Sequence, residues 1–268
     1  MGATGDNDII RARAMRLYID RLVQMARCEW LLREQSNLFG FMWTLLQPLL
    51  LFIVFYGLFT KWMGPKTPNY GAFLVIGIVH YNFFQNTTSY VLTSLRRRTA
   101  LLTNFPMPRD LFVFAAGLSG LVSHLFEVLV MFAFLIFLGT PFHSTWFLIP
   151  LILLLEAVLV LGVFSPLLAV WGARFSDFDR IWGLLTTMGM FLTPVFYPLE
   201  IIEPSKRELI RLNPVAAIIG MSRRVIIDGQ GLGVIHYLAI LALFAALSAA
   251  SYAYFKRHEP HLADYVLT

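Results

Sequence analysis

Four ionisable side chains sit inside stretches otherwise apolar enough for a bilayer: His80, His124, Glu127 and Glu156. Imidazoles and carboxylates serve acid–base catalysis and metal ligation, and either role needs them to converge. His124 and Glu127 are three residues apart, on one face of a helix. His80 and Glu156 lie far off in sequence, and no motif spacing joins the four. A metal centre calls for further clustered ligands, and an intramembrane transferase or hydrolase for an acid, a base and a nucleophile at recognisable spacing. The pattern is therefore read as a polar contact inside a helical bundle, with the roles of His124, Glu127 and Glu156 left open, since ionisable groups inside a membrane are functional candidates. Phosphate-binding chemistry is missing: the chain has no Gly-x-x-x-x-Gly-Lys-Ser/Thr loop and no Gly-Lys dipeptide. Cys28 is the one cysteine, which excludes an intramolecular disulfide framework.

A second group of side chains could hold a ligand without reacting with it. Phe52, Phe55, Tyr56 and Phe59 recur at three- and four-residue spacing and form an aromatic stripe, either a packing surface or a ligand surface. The stretch Thr193-Pro194-Val195-Phe196-Tyr197-Pro198 ends an apolar run with two residues that cannot donate a backbone hydrogen bond, so a helix must kink and stop there. Broken backbone at membrane depth survives only where protein buries it or where it lines a wet cavity. Two readings follow, a pathway mouth or a proline-capped helix end before an ordinary loop.

The elements that must position these groups are membrane helices. Of 268 residues 58% are hydrophobic and 14% charged, against about a quarter charged in soluble domains. With a mean hydropathy of +0.69 this is an integral membrane protein. The formal charge of +5 marks membrane sidedness rather than nucleic-acid binding. No apolar core follows Arg11, Arg13 and Arg16 until about Phe41, so the start is not read as a signal peptide. Met15, Tyr18, Leu22, Met25 and Leu32 instead oppose Arg13, Arg16, Asp20, Gln24, Arg27 and Glu34. This predicts an amphipathic helix over 8–34, lying on the membrane surface, on a soluble partner, or on both.

The expected fold class is an all-α membrane protein, one transmembrane domain over 1–268 with six spans: 41–62, 72–92, 111–138, 146–171, 181–198 and 234–255. Gln47-Pro48 and Pro166 predict kinks in the first and fourth. The second carries His80, Tyr81, Asn82, Gln85, Asn86, Thr87, Thr88 and Ser89, which must face protein or water. Arg96-Arg97-Arg98 ends it, and 94–106 is too short to span and too apolar for a solvated loop. A short helix presenting Leu101, Leu102 and Phe105 to another protein is predicted there. Residues 199–232 mix charges with apolar patches too short to cross, and are read as a re-entrant segment. Fourteen of the twenty-one basic residues fall on one side if the N-terminus is inside, which predicts both termini inside.

The order of motifs resembles the membrane subunit of type-2 ABC exporters of bacterial cell-surface polysaccharides and polyol phosphates, the O-antigen, capsule and teichoic-acid export family. The matching stretches are Leu38-Phe39-Gly40-Phe41-Met42-Trp43 leading to Gln47-Pro48-Leu49, Phe105-Pro106-Met107-Pro108-Arg109, Arg174 to Asp179, Thr193 to Pro198, Leu212-Asn213-Pro214, and Glu259 to Asp264. They run through nearly the whole chain. The sequence departs at Ser176 and Phe178, where the family often reads Phe-Arg-Asp-Ile across 175–178.

The resemblance implies that 8–34 is an interface helix and that 94–106 is a coupling helix seated on a separate ATPase through Arg96, Arg97, Arg98, Leu101, Leu102 and Phe105. It implies an exit gate at Pro194, Phe196, Tyr197 and Pro198, with re-entrant helices between spans five and six. The chain would be no enzyme and hold no cofactor. Two ATPase chains would bind ATP and Mg, two copies of this chain would form the pathway, and its place would be the bacterial cytoplasmic (inner) membrane. A lipid-linked polymer would then slide past Phe52, Tyr56, Phe59, Tyr81, Phe84, Gln85 and Phe191, many weak contacts suiting a moving chain. Arg27, Arg33 and Arg174 could meet the lipid pyrophosphate at the entrance, or serve only topology and headgroup contact. An exporter of a small hydrophobic molecule is the other transport reading, distinguished by a closed apolar pocket.

Overall fold

The computed structural model describes residues 3–35, 42–64, 67–105 and 107–267; Leu38 to Phe41 and Pro106 of the stretches above lie outside them. The described residues form α-helices without strands: α1 (Ala3–Gln35), α2 (Met42–Met63), α3 (Tyr70–Leu92), α4 (Ser94–Arg97), α5 (Thr99–Asn104), α6 (Asp110–Phe137), α7 (Ile149–Ala157), α8 (Ser165–Arg174), α9 (Phe178–Leu192), α10 (Pro204–Arg211), α11 (Pro214–Ile226), α12 (Val234–His258) and α13 (Leu262–Leu267). A π-helical turn, Val158–Phe164, joins α7 to α8, so Ser144–Arg174 is one continuous helical stretch.

Four of these helical stretches are long and apolar enough to cross a membrane: Met42–Met63, Asp110–Phe137, Ser144–Arg174 and Val234–His261. The other two expected spans differ for physical reasons. α9 has 15 residues, roughly 22 Å of helix against a hydrocarbon core of about 30 Å. α3 is long enough at 23 residues but too polar to qualify by composition.

The polarity of α3 is explained by its position. Seventeen of its residues are buried, and it packs against α2, α6, α8, α9 and α11, so it is the central helix. Some of its polar groups are spent inside the bundle, while the buried Asn82 side chain has no hydrogen-bond partner among the described residues. The Tyr81 hydroxyl donates to the Thr186 carbonyl at 2.5 Å, and Trp182 Nε1 donates to Thr88 Oγ1 at 3.0 Å, both tying α9 to α3. Gly172 lets α8 reach the end of α3, since a Cβ there would lie 2.0 Å from the Leu92 carbonyl oxygen.

Helix α1 docks along α6, in part through the apolar spacing that marks it in sequence. Tyr18, Leu22 and Met25 are half-buried, but Met15 and Leu32 are exposed, and the residues buried most are Ala26, Glu29 and Glu34. Polar partners decide the face: Ser123 of α6 donates to Glu34 at 2.9 Å and accepts from Trp30 at 3.1 Å. A buried carboxylate that is hydrogen-bonded holds a helix more specifically than an apolar side chain with other surfaces to choose from.

Candidate functional site

Three neighbourhoods hold the candidate residues. The first surrounds the break after α9. Thr193, preceding Pro194, is extended at φ −90° and ψ 138°, as the proline ring demands of its predecessor, and α9 stops. Asn213 then starts α11: its side chain accepts from the Val215 amide at 3.0 Å, with Pro214 at the first helical position. The same side chain donates to Thr193 Oγ1 at 2.9 Å, which ties the returning helix to the break.

The groups that hold this break together centre on Arg223 of α11, which sequence analysis placed only in a count of basic residues. Its guanidinium donates to the carbonyls of Pro194 and Val195 at 2.6 Å each and to that of Phe73 at 3.1 and 2.9 Å. It also lies 3.3 Å from the centroid of the Phe73 ring. The planar fork supplies donors to two carbonyls that no helix satisfies, those of Pro194 and Val195, and a further one to a carbonyl of α3, a task an ammonium could not match. The signal in sequence was a basic pair, Arg223-Arg224, within an apolar stretch far from the other basic runs.

Around the break the expected gate and stripe residues come together. Phe196 is buried and stacks on Phe55 at 5.1 Å and Phe59 at 5.4 Å, with Phe191 edge-on at 5.5 Å and Tyr197 at 5.2 Å. Phe52 is buried and Tyr56 exposed; their rings stack at 5.2 Å, and Tyr56 continues to Tyr70 at 6.3 Å. Tyr70 in turn donates to the Phe196 carbonyl at 2.9 Å, and Pro194 and Pro198 are buried beside it. Tyr81 and Phe84 belong to a different cavity, of about 200 Å³, with Phe164, Trp182, Thr193 and Asn213 among its walls. Gln85 is half-buried on α3.

The second neighbourhood is the arginine-marked end of α3. Glu29 of α1 accepts from Arg98 Nε at 2.8 Å and from the Tyr90 hydroxyl at 2.7 Å. Arg97 lies 3.7 Å over the Tyr90 ring, and Arg96 donates to the Ser176 carbonyl at 2.8 Å. Burial alone would raise the pKa of Glu29, but the hydrogen bonds from Arg98 and Tyr90 and the charges of Arg98 and Arg97 outweigh it and hold the carboxyl below its ordinary range. One carboxylate thus joins α1 to the turn between α4 and α5. Of the three apolar residues expected to face a partner, Phe105 is exposed, Leu101 is half-buried and Leu102 is buried against a small core with Phe255 and Leu262. Arg27, Arg33 and Arg174 are not gathered: Arg27 is exposed, Arg33 pairs with Glu34 at 2.9 Å, and Arg174 lies 5.2 Å from the Phe175 ring.

The third neighbourhood gathers the four ionisable groups that sequence spacing left apart. Glu156 of α7 bridges two imidazoles, His80 Nδ1 at 2.7 Å and His124 Nε2 at 2.9 Å, while Glu127 approaches His124 Nδ1 at 3.4 Å. All four are buried. Phe83 stacks on the His124 ring at 4.1 Å. Two crevices reach Glu127: an apolar groove of about 200 Å³ between α2, α3 and α6, and a polar one of about 180 Å³ lined in part by Gln47, Asn86, Tyr90 and Ser123.

Comparison with known proteins agrees in kind. Residues 21–227 match the family described as ABC-2 type transporter. The chain is similar to the O-antigen export system permease protein RfbA of Myxococcus xanthus, 25% identical over 247 residues covering 88% of this chain and 93% of the relative. A Klebsiella pneumoniae protein of the same name is 25% identical over 211 residues, 78% of this chain and 81% of the relative. The polysialic acid transport protein KpsM of Escherichia coli is 23% identical over 211 residues, covering 76% and 81%.

Proposed function

Because the chain belongs to the ABC-2 type transporter family, we propose that it is the transmembrane subunit of an exporter moving a lipid-linked polysaccharide or polyol-phosphate polymer across the bacterial cytoplasmic membrane. The observation that carries this is end-to-end similarity to O-antigen export permeases, over 93% of the Myxococcus relative. In this reading α3 and α9 complete six spans, the second covered by its neighbours and the fifth made up to length by the buried chain through Pro198. Both termini face the cytoplasm, α1 lies along that surface, and α4–α5 dock on an ATPase that binds ATP and Mg. Two copies of the chain and two ATPase chains make the working unit, with the pathway where the copies meet.

The polymer would pass the aromatic belt of Phe52, Tyr56, Phe59, Phe191, Phe196 and Tyr197. Pyranose rings carry apolar C–H faces and hydroxyl rims, so stacked aromatic faces can hold them weakly while tyrosine hydroxyls trade hydrogen bonds. Tyr81, Phe84 and Gln85 extend the lining towards the centre of α3. The apolar groove beside Phe52 and Glu127 favours a second reading, export of a small hydrophobic molecule.

One experiment separates the two. The chain, reconstituted in liposomes with the ATPase encoded beside it, is assayed for ATP hydrolysis with and without candidate cargo. Stimulation by a lipid-linked glycan or polyol phosphate and not by amphipathic drugs is the expected result. Stimulation by drugs alone would replace the polymer reading, and hydrolysis indifferent to both would remove it.

A further inference from the structure

The bridged cluster at Glu156 has the donor set of a metal centre. His80 Nδ1, His124 Nε2 and a Glu156 oxygen lie within 4.8 Å of one another. Ligand atoms around a tetrahedral zinc, with bonds of about 2.0–2.2 Å, are roughly 3.3–3.5 Å apart. His80 Nδ1 meets one Glu156 oxygen at 2.7 Å and His124 Nε2 meets the other at 2.9 Å, and each contact needs to open by only about half an ångström for an ion held by one or both oxygens to replace the bridging protons. Two imidazoles and one carboxylate form a set that zinc uses with a fourth position left open.

Two observations beyond proximity point the same way. His124 offers Nε2 to the cluster while its Nδ1 faces Glu127 at 3.4 Å, the carboxylate–histidine arrangement that fixes tautomer and ring orientation behind a metal ligand. The buried Nε2 of His80 has no hydrogen-bond partner among the described residues, so with Nδ1 on an ion this ring would lack the acceptor that usually stands behind a metal ligand, and His80 is the less firmly oriented of the two imidazoles. The charges also close: neither carboxylate forms an ion pair with lysine or arginine among the described residues, and buried carboxylates need compensation. One divalent cation neutralises both with the imidazoles neutral. The polar crevice lined in part by Glu127 comes next to the cluster, without any of the three ligands in its walls.

We propose that His80, His124 and Glu156 bind one divalent transition-metal ion of the zinc class, with Glu127 as the positioning residue behind His124. The ion would join α3, α6 and α7 at the centre of the bundle. It stands apart from the transport reading, and neither depends on the other.

The test uses the full chain in detergent, purified through a tag without histidine. Wild type is expected to keep about one zinc per chain by elemental analysis after metal-free gel filtration. It should lose thermal stability on chelation and regain it with zinc. Cobalt in place of zinc should give the visible absorption of tetrahedral coordination. Glu156→Gln should abolish binding, which separates the site from exposed histidines, and Glu127→Gln should weaken it by about 10–100-fold. The wild-type arms stand even if the variants fold poorly. Metal-free wild type with no cobalt spectrum and no response to chelator overturns the proposal. So does a melting temperature that ignores zinc but falls as pH rises through the imidazole range, since two protons would then hold the cluster.

Discussion

At the scale of single residues, Arg223 is the group on which most of the break depends. Three carbonyls share its guanidinium; those of Pro194 and Val195 have no helix partner, and each left unsatisfied in a buried setting costs about 1–3 kcal/mol. Arg223→Gln is expected to lower stability by about 3–5 kcal/mol, in the range for breaking a buried charged network. Arg223→Lys keeps the charge but loses the fork, so it should recover less than half of the deficit. Thermal unfolding of the three proteins in one detergent checks the order, and an Arg223→Lys protein as stable as wild type would show that charge alone suffices. Sequence made the prolines legible because their chemistry is local. Arg223 was not legible, since its partners are carbonyls, which every residue has, 28 to 150 positions away.

At the scale of elements, the contact between α1 and the α4–α5 turn rests on the Glu29–Arg98 pair. A double-mutant cycle of Glu29→Gln and Arg98→Ala should give a coupling energy of about 1–2 kcal/mol, a partly exposed charged hydrogen bond. The folded pKa of Glu29 is lowered, so this stabilisation is present above the ordinary carboxyl range. It is lost as pH falls through the lowered value. The coupling measured at pH 7 should therefore vanish in strong acid, and coupling unchanged there would mean that shape, not charge, joins the helices.

The short helix α5 yields a second expectation at this scale. Phe105→Asp should release the ATPase at normal yield of folded chain. Leu102→Asp buries a charge in a small core and should lower that yield. Co-purification of the ATPase and the recovery of monodisperse protein separate the two. Helix existence and order along the chain were legible from apolar runs and proline breaks. Which face of α1 is buried was legible only in part: of its apolar spacing Tyr18, Leu22 and Met25 are half-buried but Met15 and Leu32 are exposed, while ion pairs and Ser123 select Glu29 and Glu34. The four-group cluster was hidden for a related reason, because helix spacing places Glu127 beside His124 but says nothing of which helices meet.

At the scale of the whole molecule, the six-span reading puts fourteen of the twenty-one basic residues on the side of the N-terminus. In a Cys28→Ser background, because that thiol is exposed, a cysteine at Lys206 of α10 is expected to react with an impermeant thiol reagent added outside intact cells. One at Arg257 of α12 is expected to react only after permeabilisation. Labelling of both from outside would mean an even number of crossings between them and a different topology.

The π-helical turn at Val158–Phe164 has a consequence for how this span tolerates changes in length. Glu156 meets His80, and Gly172 meets Leu92, so both ends of the stretch address α3. Wound as α-helix throughout, sixteen residues would set them about 160° apart around the axis, on opposite faces. Seven residues at roughly 4.4 per turn lag by about 18° each, which brings the difference down to about 35°. The turn therefore works as a phase corrector that stores one surplus residue. Removing one residue from 158–164 should let a plain α-helix form with the two contacts about 60° apart, a folded protein with both retained. The same deletion within α6, which has no such store, should rotate half a helix out of register. Protein yield and melting temperature of the two deletions measure the difference, and equal damage from both would mean that the turn stores nothing.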